Sequence, residues 1–153
     1  MKVIKTGDPA PPFETVDVNG NKVSLSQFRG KKIILYFYPK DDTPGCTAEA
    51  CSLRDGYDEL TGKGWVVIGV SADSTASHLK FMQKYSLPFI LLPDEQKKII
   101  RAYGAWGEKK MYGKSYEGIL RKTFLIDEAG IILRVFDKVN TKDHARQILD
   151  EQP

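Results

Sequence analysis

The pattern of apolar and polar positions divides the chain into short elements. Two continuous apolar runs, 33–38 and 66–70, are bounded by polar residues, which is typical of strands buried on both faces of a sheet. A helical pattern from about 46 to 60 separates them, with apolar residues three or four positions apart. This order predicts a βαβ unit, in which the two strands are parallel.

The segment before the first apolar run predicts two smaller elements. Residues 13–18 alternate weakly, and an Asn-Gly turn leads into residues 22–23, so we expect a short N-terminal β-hairpin. A short helix ending at Gly30 should follow, because Ser24 or Ser26 is a suitable N-cap and glycine commonly follows a helix C-terminus.

The segment after the βαβ unit predicts a helix, a strand and a second helix. Ser74 is a suitable N-cap for a helix that runs to about Tyr85, where the approach of Pro88 ends it. A short strand at 89–92 and a short helix at 95–103 complete this part of the chain.

The last part of the chain predicts a hairpin and a helix. Strands at 123–126 and 131–136 are joined by only four residues and should therefore be antiparallel. Thr141 is expected to cap a final helix that turns Ala145 and Ile148 inward. The predicted fold class is an α/β three-layer sandwich, with a mixed central sheet, helices on both faces and the N-terminal hairpin beside it.

Length and composition limit the class of protein. The 153 residues fit one domain spanning 1–153, and 41% apolar with 28% charged residues is ordinary for a globular protein. No apolar run approaches the roughly 18 residues that cross a bilayer, and the N-terminus lacks the apolar core of a secretory signal. We therefore expect a cytoplasmic protein with no membrane partner. A net charge of +3, spread among acids, gives no reason to expect nucleic acid.

The two cysteines are the first candidates for chemistry. Two cysteines and two histidines without zinc-ligand spacing do not predict a metal site, and no cofactor motif is present. Thr43 is a good N-cap and Pro44 suits the first helical position, so Cys46 falls at the third position of the predicted helix. Helix N-termini favour anions and lower thiol pKa values from about 8.5 to about 3.5–7.5. The position of Cys46 thus predicts a reactive thiolate.

Helical spacing separates Cys46 from Cys51. Cys46 shares the inward, apolar face, whereas Cys51 lies on a polar stripe. Five residues apart in an ideal helix means a Cα separation of roughly 8.6 Å, beyond the limit of about 7 Å for a disulfide. A bond between them would require the first turns to unwind. A buried structural thiol at Cys46 and an idle surface thiol at Cys51 remain alternatives.

The spacing Pro39-x-x-x-Thr43-x-x-Cys46 resembles the peroxiredoxin motif. Further segments resemble the bacterioferritin-comigratory (peroxiredoxin Q) subfamily over nearly the whole chain. These segments are Pro9-Ala10-Pro11, 25–30, Leu35-Tyr36-Phe37-Tyr38-Pro39-Lys40 and Gly118-Ile119-Leu120-Arg121. The resemblance implies a thioredoxin-like fold, which agrees with the predicted layers.

The resemblance also implies a role for each matching residue. Cys46 would be the peroxidatic cysteine, Thr43 the hydroxyl that contacts the thiolate and peroxide, and Pro39 the shield of the site. Arg121 would fix the thiolate and polarise the peroxide. Cys51 would be the resolving cysteine, forming an intramolecular disulfide that thioredoxin or a similar dithiol reduces. The implied protein is a hydroperoxide-reducing atypical 2-Cys enzyme for which a monomer suffices.

The remaining polar residues are given lesser roles. Glu49 lies one turn beyond Cys46 and could orient Arg121 by a bidentate contact. His78 and His144 share no motif with the cysteine, so we expect helix-surface positions for both. The Gly- and Lys-rich segment 104–118 is expected to be a surface loop.

Two rival functions use the same residues. A thiol–disulfide oxidoreductase usually carries Cys-x-x-Cys, whereas this chain has four residues between its cysteines. A redox sensor would use the pair as a switch that alters a binding surface, and would react slowly with peroxide. Fast oxidation by peroxide distinguishes the peroxidase from both rivals.

Overall fold

A five-stranded mixed sheet forms the centre of the computed structural model, which describes residues 3–151. Two short hairpins and five α-helices surround it. The strands are β1 (Glu14–Val16), β2 (Lys22–Ser24), β3 (Lys32–Phe37), β4 (Trp65–Ser71), β5 (Ile90–Pro93), β6 (Trp106–Met111), β7 (Lys114–Ile119), β8 (Lys122–Ile126) and β9 (Ile132–Phe136). The helices are α1 (Pro44–Asp55), α2 (Tyr57–Gly62), α3 (Thr75–Tyr85), α4 (Lys98–Ala102) and α5 (His144–Glu151), with a 3₁₀ helix at Leu25–Phe28.

The order of the central sheet is β5-β4-β3-β8-β9. β3 pairs with β4 in parallel and with β8 antiparallel, and β8 pairs with β9 antiparallel. These pairings confirm the predicted βαβ unit and C-terminal hairpin. The N-terminal hairpin of β1 and β2 is also confirmed. Ser74 is the N-cap of α3, as predicted, and its hydroxyl accepts a hydrogen bond from the Ser77 N–H at 3.1 Å.

Alternate side chains of β3 enter two separate cores. Ile33, Leu35 and Phe37 face a core covered by α4 and the N-terminal segment. Ile34 and Tyr36 face the opposite core, which α1, α2, α3 and α5 cover and which contains Cys46. The three-layer prediction is thereby confirmed, because a strand buried on both faces needs a cover on each. No helix in residues 3–151 is long and apolar enough to span a bilayer.

The prediction of one continuous helix from 46 to 60 is wrong. It breaks at Gly56 into α1 and α2. A Cβ on Gly56 would lie 2.6 Å from the Cβ of Ala145, so the close approach of α5 requires a glycine here. The final helix also starts at His144, three residues after the predicted cap Thr141.

The prediction of a surface loop at 104–118 is also wrong. Residues 106–111 and 114–119 pair as the antiparallel hairpin of β6 and β7. Tyr112 and Gly113 form its two-residue turn, with φ values of 53° and 75°. Positive φ at both positions is characteristic of the turns that match the twist of a hairpin. The abundance of lysine concealed this strand signal.

Neither histidine lies on the surface, contrary to prediction. Both His78 and His144 are fully buried. The Nδ1 and Nε2 atoms of each ring contact protein groups, which offsets the cost of removing a polar ring from water. Helical position alone does not distinguish such a satisfied core histidine from an exposed one.

Candidate active site

The start of α1 positions Cys46. Thr43 is the N-cap with extended backbone (φ −97°, ψ 157°), and Pro44 is the first helical residue, as predicted. Cys46 is therefore the third helical residue, and it is 1% exposed within the core that α1 covers. The unpaired N–H groups of the first turn and the positive end of the helix dipole favour a thiolate at this point.

Arg121 meets this thiol from the link between β7 and β8. Its Nη2 donates to the Cys46 Sγ at 3.5 Å. Gly45 makes room for the contact, since a Cβ there would lie 3.1 Å from Nη2. Burial alone would lower the pKa of Arg121, but Cys46 and Glu49 raise it and the net change is upward. A charged guanidinium therefore faces the sulfur.

Glu49 contacts the same guanidinium from the next turn of α1. Arg121 Nη1 donates to Glu49 Oε1 at 2.8 Å. The predicted pairing is present, but its bidentate form is wrong, because Nη2 is turned to the sulfur instead. Glu49 is fully buried, and Oε2 has no hydrogen-bond partner among the described residues. Burial raises the pKa of Glu49 from 4.5 to about 7, against the lowering effect of Arg121.

His144 lies behind Glu49 at the start of α5. Its Nε2 is 3.7 Å from Glu49 Oε2 and 2.8 Å from the Thr123 hydroxyl. Its Nδ1 is 2.8 Å from Gln147 Oε1, an acceptor, so Nδ1 carries the ring proton. Burial lowers the pKa of His144 from 6.5 to about 4. The ring is therefore neutral, and Nε2 accepts from Thr123 rather than donating to Glu49.

Thr43 and Pro39 lie in the segment between β3 and the first turn of α1. The Thr43 hydroxyl donates to the Lys40 carbonyl at 2.8 Å and does not cap the helix through its side chain. Its oxygen lone pairs are left to accept a hydrogen bond. Pro39 is half-buried directly after Tyr38, the last buried residue before the loop.

A buried hydrogen-bond network around Asp41 stabilises the loop between β3 and α1. Asp41 accepts hydrogen bonds from the hydroxyls of Tyr38 at 2.6 Å and Ser77 at 2.8 Å, and its Oδ2 is 2.6 Å from His78 Nδ1. The Asp41 N–H donates to Asp73 at 2.8 Å. Asp41, Asp73 and His78 form a group whose ligand atoms lie within 4.8 Å of one another, but these hydrogen bonds already engage them. The network holds the loop before α1.

Cys51 is not brought to Cys46. It is a half-buried free thiol on α1, separated from the buried thiol of Cys46 by an intact helix. The next residue, Ser52, accepts a hydrogen bond from the Ala145 N–H at 3.1 Å, which attaches this end of α1 to α5. The structure thus assembles Cys46, Arg121 and Glu49 and leaves Cys51 apart.

Sequence reasoning missed two contributors to the site. His144 lies 98 residues after Cys46, and no local pattern in the sequence marks it as part of the site. Lys109, on β6, was assigned to a loop. Burial, followed by the charge of Arg121, lowers the pKa of Lys109 and the charge of Cys46 raises it, so Lys109 lies within electrostatic range of the site. The strand pairing of β6 with β7 is the signal that would have found it, since β7 leads directly to Arg121.

Comparisons with known proteins give the family of the chain. Residues 6–135 match the model of the AhpC/TSA family. The chain is 47% identical over 146 residues to peroxiredoxin Bcp of Bacillus subtilis, covering 95% of this chain and 93% of that protein. It is 45% identical over 150 residues to peroxiredoxin Bcp of Escherichia coli, covering 98% and 96%. The solved Xanthomonas campestris bacterioferritin comigratory protein, studied for alkyl peroxide reduction, has a TM-score of 0.84 at 35% identity, covering 90% and 88%.

A thioredoxin-like fold with a thiol at a helix N-terminus beside an arginine defines a class of redox enzymes, and the chain belongs to the AhpC/TSA family. Within that family its relatives are peroxiredoxins of the bacterioferritin-comigratory, or Q, group. The protein is accordingly a thiol peroxidase of the peroxiredoxin class.

Proposed function

We propose that Cys46 is the peroxidatic cysteine, reducing hydrogen peroxide and organic hydroperoxides. The observation that carries this assignment is the 3.5 Å contact between Arg121 Nη2 and the Sγ of a buried thiol at a helix N-terminus. Thiolates are the nucleophilic form of cysteine, and both features favour ionisation. Attack on the O–O bond gives a Cys46 sulfenic acid and releases water or an alcohol.

Donors around Cys46 suit the charge that builds on the peroxide. Negative charge grows on both oxygens as the O–O bond lengthens, and prearranged donors stabilise that state. Arg121 and the free N–H groups of the first turn supply such donors. The Thr43 hydroxyl gives its hydrogen to the Lys40 carbonyl, so its oxygen is placed to accept the hydrogen of the peroxide. Pro39, which has no N–H, shields the thiolate from water.

Cys51 would then resolve the sulfenic acid by an intramolecular disulfide. The thiol of Cys51 attacks the sulfenic sulfur, and water leaves as the S–S bond forms. The end of α1 that carries Cys51 is attached to α5 through Ser52. Within residues 3–151, no hydrogen bond joins the first turn to α5, and the helix begins with the hydrogen bond from the Thr47 N–H to the Thr43 carbonyl. The Cys46 end is therefore the one that should unwind.

The remaining features of the cycle are also proposals. A disulfide within one chain needs a dithiol reductant, and we expect thioredoxin or a similar protein in a cytoplasmic setting. The reaction needs no residue from a second copy, so a single-domain monomer suffices.

Mass spectrometry of the reduced protein tests this scheme. One equivalent of hydrogen peroxide should lower the mass of the wild-type chain by two hydrogens, and digestion should join Cys46 to Cys51. In Cys51→Ser, Cys46 should instead be trapped as a sulfenic acid adduct. In Cys46→Ser, no oxidation should occur at this peroxide level.

Rate measurements separate the peroxidase from its rivals. Rapid single-turnover oxidation, followed by thioredoxin-dependent turnover, supports the proposal. Slow oxidation would favour a sensor, and reduction of protein disulfides without peroxide would favour an oxidoreductase. Persistent sulfenic acid in the wild-type chain would remove Cys51 from the mechanism.

A further inference from the structure

Two acids share a single guanidinium at the centre of the site. Arg121 Nη1 contacts Glu49 Oε1 at 2.8 Å, and Nη2 contacts Cys46 Sγ at 3.5 Å. Both acids are removed from water, with exposures of 0% and 1%. One positive charge cannot fully compensate two buried negative charges in a medium of low dielectric constant. The ionisation of one acid therefore opposes the ionisation of the other.

The surroundings of Glu49 favour its protonated form while Cys46 is a thiolate. The neutral His144 ring on α5 supplies no proton to Oε2, which has no hydrogen-bond partner in residues 3–151. The Tyr36 hydroxyl of β3 is also buried and has no hydrogen-bond partner in residues 3–151. Burial is the largest cause that raises the pKa of Tyr36, and the negative charge of Glu49 is the second. Burial, followed by the charge of Arg121, lowers the pKa of Lys109 on β6, and the charge of Cys46 raises it. Arg121 is the one cation that contacts Glu49 in the described chain.

We propose that Glu49 is a proton-holding positioning residue whose protonation follows the redox state of Cys46. It keeps a proton while Cys46 is a thiolate and releases it when Cys46 becomes a sulfenic acid. The inference rests on the proposed peroxidatic role of Cys46.

The chemistry balances with one proton. The thiolate sulfur bonds to one peroxide oxygen, the O–O bond breaks, and the leaving oxygen takes a proton to become water or an alcohol. Sulfur loses two electrons and the peroxide gains them. Because the sulfenic acid is neutral, the negative charge opposite Arg121 disappears, and Glu49 ionises in its place. The proton that Glu49 releases offsets the one that the leaving oxygen consumes.

This exchange keeps the charge around Arg121 constant through the oxidation step. A guanidinium that lost its anion would be left buried and unpaired, which is costly. The carboxylate formed at Glu49 prevents that and keeps Arg121 in place when the sulfur departs for Cys51. Return of the thiolate upon reduction then draws a proton back to Glu49 from solvent.

Proton counting during a single oxidation tests the inference. The experiment uses Cys51→Ser, in which the reaction should stop at the sulfenic acid, and compares it with Cys51→Ser/Glu49→Gln. Absorbance at 240 nm gives the thiolate fraction before the reaction. A pH indicator in weak buffer gives the protons taken up after one equivalent of hydrogen peroxide, and mass spectrometry counts the sulfenic acid formed.

The expected result is a difference between the two variants. With Gln at 49, proton uptake should equal the thiolate fraction oxidised. With Glu49 present, uptake should fall short of the thiolate fraction oxidised, because Glu49 releases its proton as the sulfur becomes neutral. The shortfall should shrink as pH is raised toward 9, a readout that needs no variant at Glu49. An additional Glu128→Gln change, at an exposed turn, should leave the shortfall intact.

Two results would overturn the inference while leaving the peroxidase intact. One is sulfenic acid formation with proton uptake equal to the thiolate fraction in both variants. The other is an equal shortfall in proton uptake in both variants, which would mean that a group other than Glu49 releases the proton. A failure to form any Cys46 sulfenic acid would instead overturn the proposed role of Cys46, and the inference with it.

Discussion

At the scale of single residues, the site depends on how Arg121 divides its donors. One nitrogen contacts the Cys46 sulfur and the other contacts Glu49, so a buried carboxyl fixes the side chain while it contacts the proposed nucleophile. A contact of this kind supplies transition-state stabilisation without reorganisation during the reaction.

Replacing Arg121 by Gln should remove that stabilisation. We expect the second-order rate with hydrogen peroxide to fall by about 10²–10³-fold, comparable to loss of one prearranged donor. The thiolate absorbance at 240 nm near neutral pH should fall as well. Stopped-flow oxidation kinetics measure the rate. Arg134→Gln, which removes an exposed ion pair with Glu151, is the control and should react like the wild type.

Thr43 should act through its oxygen lone pairs rather than by capping α1. Thr43→Val keeps the shape but loses the acceptor, and we expect the rate with peroxide to drop at least about 10-fold. Thr43→Ser retains the hydroxyl and should stay within a few-fold of the wild type. Equal rates for the Val and Ser variants, with unchanged helix content by circular dichroism, would contradict this role.

At the scale of elements, α1 has two ends with different constraints. Its C-terminal end is tied to α5 by the hydrogen bond to Ser52 and by the close approach at Gly56. Its N-terminal end carries Cys46 and follows a loop braced by Asp41. If the two cysteines bond, as proposed, the opening of α1 must occur between the braced loop and the hydrogen bond at Ser52.

Weakening the middle of α1 should accelerate disulfide formation. Ala48→Gly lies between the two cysteines, and glycine costs about 1 kcal/mol in a helix interior. If opening precedes bond formation, the conversion of sulfenic acid to disulfide should become about 5-fold faster at that cost. Rapid quenching with mass spectrometry follows this step separately from peroxide attack.

The matched control for this prediction is Lys80→Gly in the middle of α3. It places the same flexible residue in a helix that carries no cysteine. The rate at which this variant converts the sulfenic acid to the disulfide should equal that of the wild type. An unchanged rate in Ala48→Gly would mean that helix opening does not limit the reaction.

The elements themselves show what the sequence can and cannot predict. Continuous apolar runs identified β3 and β4, because strands buried on both faces require them. The break at Gly56 depends on Ala145, and the burial of His144 depends on Glu49 and Thr123. Those contacts join distant parts of the chain, so no local pattern contains them. The N-cap residue Thr43 and the following Pro44 predicted Cys46 at its observed helix position, but no local pattern predicted the division of Arg121 between two acids.

At the scale of the whole molecule, Glu49 and His144 have opposite effects on stability as pH changes. Because its pKa is raised from 4.5 to about 7, Glu49 contributes stability fully below pH 4.5 and loses it as pH rises toward 7. Because its pKa is lowered from 6.5 to about 4, His144 contributes fully above pH 6.5 and loses stability as pH falls toward 4. The two effects partly cancel between these limits.

Glu49→Gln should expose the His144 effect. The free energy of unfolding of the variant, relative to the wild type, is expected to rise by about 3 kcal/mol from pH 4.5 to pH 7. Urea titrations of the reduced proteins at several pH values measure this difference. Glu128→Gln, at an exposed position, should differ from the wild type by a constant amount. A constant difference for Glu49→Gln would contradict the raised pKa.

The contact between Gly56 and Ala145 has a consequence for how such a sequence can vary. The missing methyl group at 56 sets how closely α5 approaches, and His144 immediately precedes Ala145. A larger residue at 56 would push α5 outward and carry His144 away from Glu49. Position 56 is thus linked to the active site through a backbone rather than through any polar group. Substitutions at 56 and 145 should be tolerated together more readily than singly, so paired mutagenesis of these positions offers a way to tune the enzyme without altering its reacting residues.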